Sequence, residues 1–367
     1  MRMLGRIRLG EEKYPALTGM RALGAVVVFL DHFPIVVGAH LTVNVMAFFY
    51  ALSGFLIFRL YYEQLQLSRN GLSRYFINRF ARIYPVYFLL LSVAVCLQHE
   101  ARPWILIRNY TLTHALFYPS DLLIQPSWSL TVEECFYALA PLFMLLDRTR
   151  GFAALAVAGG ALLGAALLVA QLPMQFLHTS HFVLTTTFFG HFVEFFAGAF
   201  LAVTIMRLEA RGPIATDCYC WTLTGSAGVL LLSFAMVIVY HHRPFHAGLV
   251  ILLNNFLMPA PIAVLYTGLI REDTVLSRLL RSRIAAVLGR SSYSFYLLHT
   301  LIIDYISIPW LLPLISSRLL CILLTLVAGW TLSILLFVYF EEPVNLLLRQ
   351  RLRPRDEWAA IRSASFK

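Results

Sequence analysis

The sequence predicts an all-α membrane protein, a polytopic bundle of about ten transmembrane helices with both termini in the cytoplasm. Three observations predict it. Hydrophobic residues make up 59% of the 367 residues and charged ones only 13%, with a mean hydropathy of +0.74; a soluble globular chain is nearer a quarter charged. Apolar runs of about twenty residues, the length that crosses the hydrocarbon core as a helix, recur along the chain. Lys and Arg fall on alternate connections between those runs, 24 on one side against four on the other with Arg21 left out. The richer side is the cytoplasmic one.

Ten spans are expected, at 16–37, 41–60, 82–98, 127–147, 152–171, 184–206, 221–240, 247–270, 284–307 and 319–340. The basic start (Arg2, Arg6, Arg8) is not followed by a short apolar stretch with a small-residue cleavage site, so the first run reads as a retained helix rather than a signal peptide. The connection 99–126 has room for a re-entrant or interfacial segment but not for a folded enzyme. The organisation expected is one membrane domain over residues 1–345 and a basic cytoplasmic tail over 346–367 that rests on anionic lipid. The net charge of +10 sits where it orients a membrane protein, which argues against nucleic acid as a partner. Five cysteines without repeated spacing, Cys218 and Cys220 included, do not describe a disulfide framework. The histidines near the outer side (His178, His181, His191; His241, His242, His246) read as loop residues, and no metal site is expected.

Ionisable residues inside a membrane helix are costly and are functional candidates by default. The first span carries Arg21, Asp31 and His32. Arg21 and His32 share one face about 16 Å apart along the axis, a cation at one depth and a proton acceptor half a bilayer away. Asp31 points about 100° from its neighbour and either orients some other partner or marks a local break before Pro34. In the second span, Asn44 to Gly54 brings small residues that let helices or a ligand come close. Arg79 and Arg82, at i and i+3, share a face at the cytoplasmic entrance to the third span; they suit either positive-inside anchoring or bidentate recognition of a phosphorylated ligand. Glu133 and Glu134 lie in the run from Trp128 to Tyr137 and are expected to face a cavity near the level of His32. A carboxylate there either orients an imidazole or binds sugar hydroxyls. Ser292, Tyr296 and His299 form a polar stripe on the ninth span, beside Tyr293. Glu341 closes the tenth span, within reach of Arg79, Arg82 or Arg21.

These segments, in this order, resemble the acyltransferase-3 family of membrane-bound O-acyltransferases. The patterns are an Arg-Ala-Leu helix ending in His, a Leu-Ser-Gly-Phe helix, Arg-x-x-Arg-Ile-x-Pro, Trp-Ser-Leu-x-Val-Glu-Glu-x-Phe-Tyr, Ser-Tyr-Ser-x-Tyr-Leu-x-His and a final Glu-x-Pro. All six occur from Leu17 to Pro343. The resemblance implies transfer of an acyl group, commonly acetyl, from cytoplasmic acyl-CoA to a hydroxyl of a cell-envelope polysaccharide or lipid-linked glycan, in the cell (inner or plasma) membrane. It implies no permanently bound cofactor, with acyl-CoA as co-substrate and glycan, glycolipid and membrane lipid as partners. His32 matches the proposed catalytic histidine, and Glu133 or Glu134 would orient its ring. Arg21, Arg79 and Arg82 match arginines tied to the donor, with Glu341 beside them. Trp128, Tyr293, Ser292, His299 and Asn44 are the residues expected around the acceptor. Departures are Cys135 for Gln, Thr131 for Ser, and Asp31 for an apolar residue. Many relatives add an extracytoplasmic hydrolase-like domain, which is not expected here. Two other readings are a small glycoside acceptor such as an antibiotic sugar, and a transporter or flippase using the same polar stripe.

Overall fold

The computed structural model describes residues 13–33, 41–65, 67–117, 121–173, 176–211, 220–242 and 247–352. These residues form α1 (Pro15–His32), α2 (Leu41–Tyr61), α3 (Arg69–Gln98), α4 (Pro103–Tyr110), α5 (Trp128–Arg150), α6 (Phe152–Val169), α7 (Ser180–Thr186) and α8 (Phe188–Glu209). They continue as α9 (Cys220–His242), α10 (Ala247–Ile251), α11 (Pro259–Arg271), α12 (Val275–Leu280), α13 (Arg283–Ile302), α14 (Leu312–Leu314), α15 (Arg318–Leu336) and α16 (Glu342–Arg351). Strands are absent among the described residues. Only helices and closed barrels satisfy every backbone polar group without water, and the described spans take the helical solution.

Among the described residues, nine helices are long and apolar enough to cross a membrane, against about ten expected. The nine coincide with the second to tenth expected spans. The remaining one is α1, which covers 15–32 of the expected 16–37, residues 34–37 lying outside the described residues, and which is made more polar by Arg21, Asp31 and His32. It packs on α13 and α2. Helix α3 starts 13 residues earlier than the apolar run, at Arg69, where Ser68 caps it by accepting a hydrogen bond from the Gly71 amide (3.2 Å). Capping and propensity start a helix; hydropathy reports only the part that lies in hydrocarbon. The described residues of the connection 99–126 form α4 and two short 3-10 turns, pinned by Asn109. Asn109 Nδ2 donates to the Ile105 and Asp121 carbonyls, and its Oδ1 accepts from the Leu123 amide.

Two backbone contacts place the site. A Cβ on Gly289 of α13 would collide with the Thr18 carbonyl of α1, and one on Gly54 of α2 with the Phe195 carbonyl of α8. Glycine lets each pair touch backbone to backbone. On the outer surface, Leu168, Leu223, Leu230 and Leu319 are largely exposed, as a lipid-facing surface requires. Helix α15 ends in a π-helical turn, Phe337–Glu341, whose last residue is buried. The chain continues into α16, which packs back on α3. The expected domain boundary at 345 thus falls within a helix. Residues 353–367 of the expected tail, Cys218 and the side chains of His241, His242 and His246 lie outside the described residues.

Candidate active site

Three cavities meet at Arg21. The first, 180 Å³, is lined by Arg21, Arg79, Arg82 and Arg349 together with Glu133, Ser53, Tyr137 and Tyr293. Arg79 and Arg82 come from one face of α3, as their spacing predicts, but they are held differently. Glu341 accepts from the Arg82 guanidinium and also from Ser294 Oγ (2.6 Å), which fixes its carboxylate from two sides. The Arg79 guanidinium lies 5.6 and 5.8 Å from the ring centres of Tyr61 and Tyr137, and its Nε is buried without a hydrogen-bond partner. Such a donor is an exception in protein interiors and suits an anionic ligand. Glu133 accepts from Ser53 Oγ (2.6 Å) and from the Tyr137 hydroxyl (3.2 Å). Four guanidiniums thus face two carboxylates, and one of those is occupied by Arg82. The chamber is cationic.

The second cavity, 60 Å³, continues from the first through Arg21, Phe49, Glu133 and Tyr293. Its polar lining adds Tyr50, Ser129, Ser292 and Tyr296. The Tyr296 hydroxyl bonds Ser129 Oγ (2.7 Å) and the Pro126 carbonyl (3.1 Å), while the Tyr50 hydroxyl is buried and has no partner. The third cavity, 290 Å³, is apolar. It runs along Met20, Leu23, Gly24 and Val27 of α1 and reaches the lipid-facing surface at Leu230.

Near the C-terminal end of α1, His32 Nδ1 lies 2.8 Å from the Val28 carbonyl. A carbonyl only accepts, so Nδ1 carries the proton and Nε2 the lone pair. The His299 ring stands edge-on to His32, with centres 5.0 Å apart.

The expected site residues therefore separate into groups. Arg21, Arg79, Arg82, Glu133, Tyr293 and Glu341 gather in or beside the chamber. Glu133 lies with the arginines instead of beside His32: on α5 it is one turn beyond Ser129, which already neighbours Tyr296. The imidazole is oriented by its own helix, through Val28, and not by a glutamate. Glu134 points toward Tyr84 of α3. Ser292 lines the narrow passage, Asn44 the lipid-facing cavity, and the Trp128 ring lies 6.2 Å from His191. His191 is not a loop residue: it is buried in α8, bonded to Glu194 (2.8 Å) and to the Thr185 carbonyl (3.1 Å) freed by the break between α7 and α8. Among the described residues no three His, Cys, Asp or Glu side chains converge. Sequence reasoning missed Arg349, assigned to the tail, and the facing of His299 on His32. Residues 267 positions apart carry no local signal of contact.

Residues 14–342 match the acyltransferase domain of the acyltransferase-3 family. The chain is 26% identical to the peptidoglycan O-acetyltransferase OatA of Listeria monocytogenes over 162 residues, 38% of this chain and 25% of that one. It is 24% identical to the acyltransferase MdmB of Streptomyces mycarofaciens over 330 residues, 80% of each chain. It thus spans a quarter of the first relative's length and four-fifths of the second's. No solved structure matches. The family assignment favours acyl transfer over a transporter using the same polar stripe. With the match running from the start of α1 to the start of α16, the chain belongs to the acyltransferase-3 family and is a multi-pass membrane O-acyltransferase.

Proposed function

We propose that the protein moves an acyl group, acetyl in the simplest case, from cytoplasmic acyl-CoA to a hydroxyl of a cell-envelope polysaccharide or lipid-linked glycan, at the cell (inner or plasma) membrane. The observation that carries this reading is the four-arginine chamber joined to a narrow polar passage. Arg79, Arg82, Arg349 and Arg21 hold the phosphates of the donor, because planar guanidiniums match phosphate oxygens in pairs. The thin acyl-pantetheine arm rises between Tyr50, Ser129 and Tyr296, and the thioester meets His32. His32 Nε2 takes the proton of the acceptor hydroxyl while that oxygen attacks the thioester carbonyl. The C–S bond breaks, and the thiolate collects the proton from the imidazolium. The same bare nitrogen also suits direct attack on the thioester, with the acyl group then passed from the ring to the acceptor.

The apolar cavity open to lipid favours an acceptor that arrives through the bilayer. That includes a second reading, a small hydrophobic glycoside, which also enters that way. Mass spectrometry of envelope and lipid-linked glycans from wild type, a deletion strain and a His32→Ala strain tests the function. Loss of one acyl mass from one sugar in both mutants is expected. Unchanged masses in the deletion strain would remove the envelope acceptor, and a His32→Ala enzyme with full acetyl-CoA turnover would sink the role of His32.

A further inference from the structure

The hydroxyls that line the narrow passage belong to Tyr50, Ser129, Ser292, Tyr293 and Tyr296. Ser292 donates to the Gly289 carbonyl (2.8 Å) and Tyr293 to the Ile83 carbonyl (2.8 Å). Ser129 and Tyr296 bond each other (2.7 Å), and both reach the Pro126 carbonyl (3.0 and 3.1 Å). Each of these is accounted for by the fold. Tyr50 is different: it is only 1% exposed, and its hydroxyl has no hydrogen-bond partner among the described residues. Such a buried group is an exception that needs a reason. Packing does not leave the ring free to find a partner. It stacks on Phe195 (4.8 Å between centres, 23°) and leans on His191 (5.1 Å), which is itself tied to Glu194 and to the Thr185 carbonyl. Of the ionisable groups around the hydroxyl, Tyr296 and Glu133 line the passage and Glu194 lies on α8.

We infer that Tyr50 is a donor-binding residue whose hydroxyl donates a hydrogen bond to an amide carbonyl of the pantetheine arm as the arm lies in the passage. The inference rests on the acyl-CoA reading proposed above. Depth selects the arm rather than the thioester. Arg59 near the end of α2 bonds the Tyr14 hydroxyl just before α1 (2.8 Å), and Gly24 of α1 sits against Val45 and Phe49 of α2. The two helices therefore run antiparallel, with Tyr50 level with Arg21 and about 16 Å below His32 along the axis. A thioester at His32 is out of reach. What passes Tyr50 is the phosphate end of the arm, where an amide carbonyl is a strong acceptor for a phenolic O–H. The neighbouring wall, Met46, Phe49 and Leu130, is apolar, so an amide drawn in from water needs that bond. A ring fixed in advance supplies it with little ordering cost. The same hydroxyl sets specificity. A plain hydrocarbon chain from the lipid-facing cavity is as thin as the arm but leaves Tyr50 unpaired.

The test measures, by calorimetry on the purified full-length protein without acceptor, the binding of acetyl-CoA and of its nucleotide half, phospho-ADP without the arm. Tyr50→Phe should bind acetyl-CoA about fivefold more weakly, the loss of one net hydrogen bond, and phospho-ADP as tightly as wild type does. Without ligand it should melt no lower than wild type, because the hydroxyl it removes has no partner in the free protein. Equal acetyl-CoA affinities for the two proteins would overturn the inference, as would a loss that phospho-ADP shares. A hydroxyl satisfied within the fold, through water shared with Glu194, predicts a lower melting midpoint at unchanged affinity, which also overturns it. A wild type that binds neither compound refutes the acyl-CoA reading itself, and the inference with it. Failure of the contact alone is seen where wild type and Tyr50→Phe bind both compounds alike.

Discussion

Replacing Glu341 by glutamine removes the carboxylate that Arg82 and Ser294 both bond, in a side chain only 1% exposed. Breaking a buried ion pair by removing one partner costs about 3–5 kcal/mol, because the other charge is left uncompensated. Two features reduce that figure. The Arg82 side chain is 25% exposed toward the chamber, and a glutamine oxygen still accepts one hydrogen bond. We expect a loss of about 2 kcal/mol, which in a protein this large lowers the melting midpoint by a few degrees. The assay is thermal melting of the purified protein in one detergent, for wild type, Glu341→Gln, Arg82→Gln and the double variant. Removing both charges leaves neither stranded, so the double variant should lose less than the two singles combined, by about 1–2 kcal/mol of coupling. A Glu341→Gln protein melting with wild type, or additive single effects, would refute the reasoning.

The remaining predictions concern other parts of the bundle. Arg349→Gln should raise KM for acetyl-CoA about tenfold with kcat nearly unchanged, the loss of one charge-assisted contact, whereas Arg351→Gln, exposed at the end of α16, should change neither; steady-state thiol release measures both. Gly289→Val should push α1 from α13 at the Thr18 carbonyl and so misalign His32 against His299, reducing thiol release more steeply than it reduces the yield of folded protein. Burial holds His114, in the outer connection, down at about 4 from its ordinary 6.5. The unfolded chain therefore binds the proton first, and stability falls as the pH drops from about 6.5 to 4, by at most about 3 kcal/mol. Melting midpoints between pH 7 and 5 should flatten in His114→Gln.

The spans were legible because a bilayer demands long apolar helices, and that demand is written locally. So was the pairing of Arg79 with Arg82 on one helical face. What those two arginines do was not legible, because Glu341 and Tyr137, which distinguish them, come from distant helices. Glu133 looked like a partner for His32 on depth alone. Its actual neighbours, Ser53 and Arg21, follow from the backbone contact of α2 with α8 and from the seat of α1 among its neighbours. Arg349 resembled any residue of a basic tail until α16 turned back onto α3. His299 was legible as part of a polar stripe, but the stripe does not say that its last member meets the end of the first helix.

The passage beside Arg21 bears on more than transfer. A route wide enough for a pantetheine arm is a flaw in a membrane that must hold an electrochemical gradient, since water and ions could follow whenever the arm is absent. Here the route narrows to 60 Å³ next to a fixed guanidinium and a hydrogen-bonded carboxylate. A positive charge at a constriction repels hydronium and metal cations, as arginine does in water channels. An anionic thioester carrier is drawn to the same charge. If the donor is the acyl-CoA proposed above, Arg21 is the one residue that both attracts it and keeps the membrane insulated between turnovers.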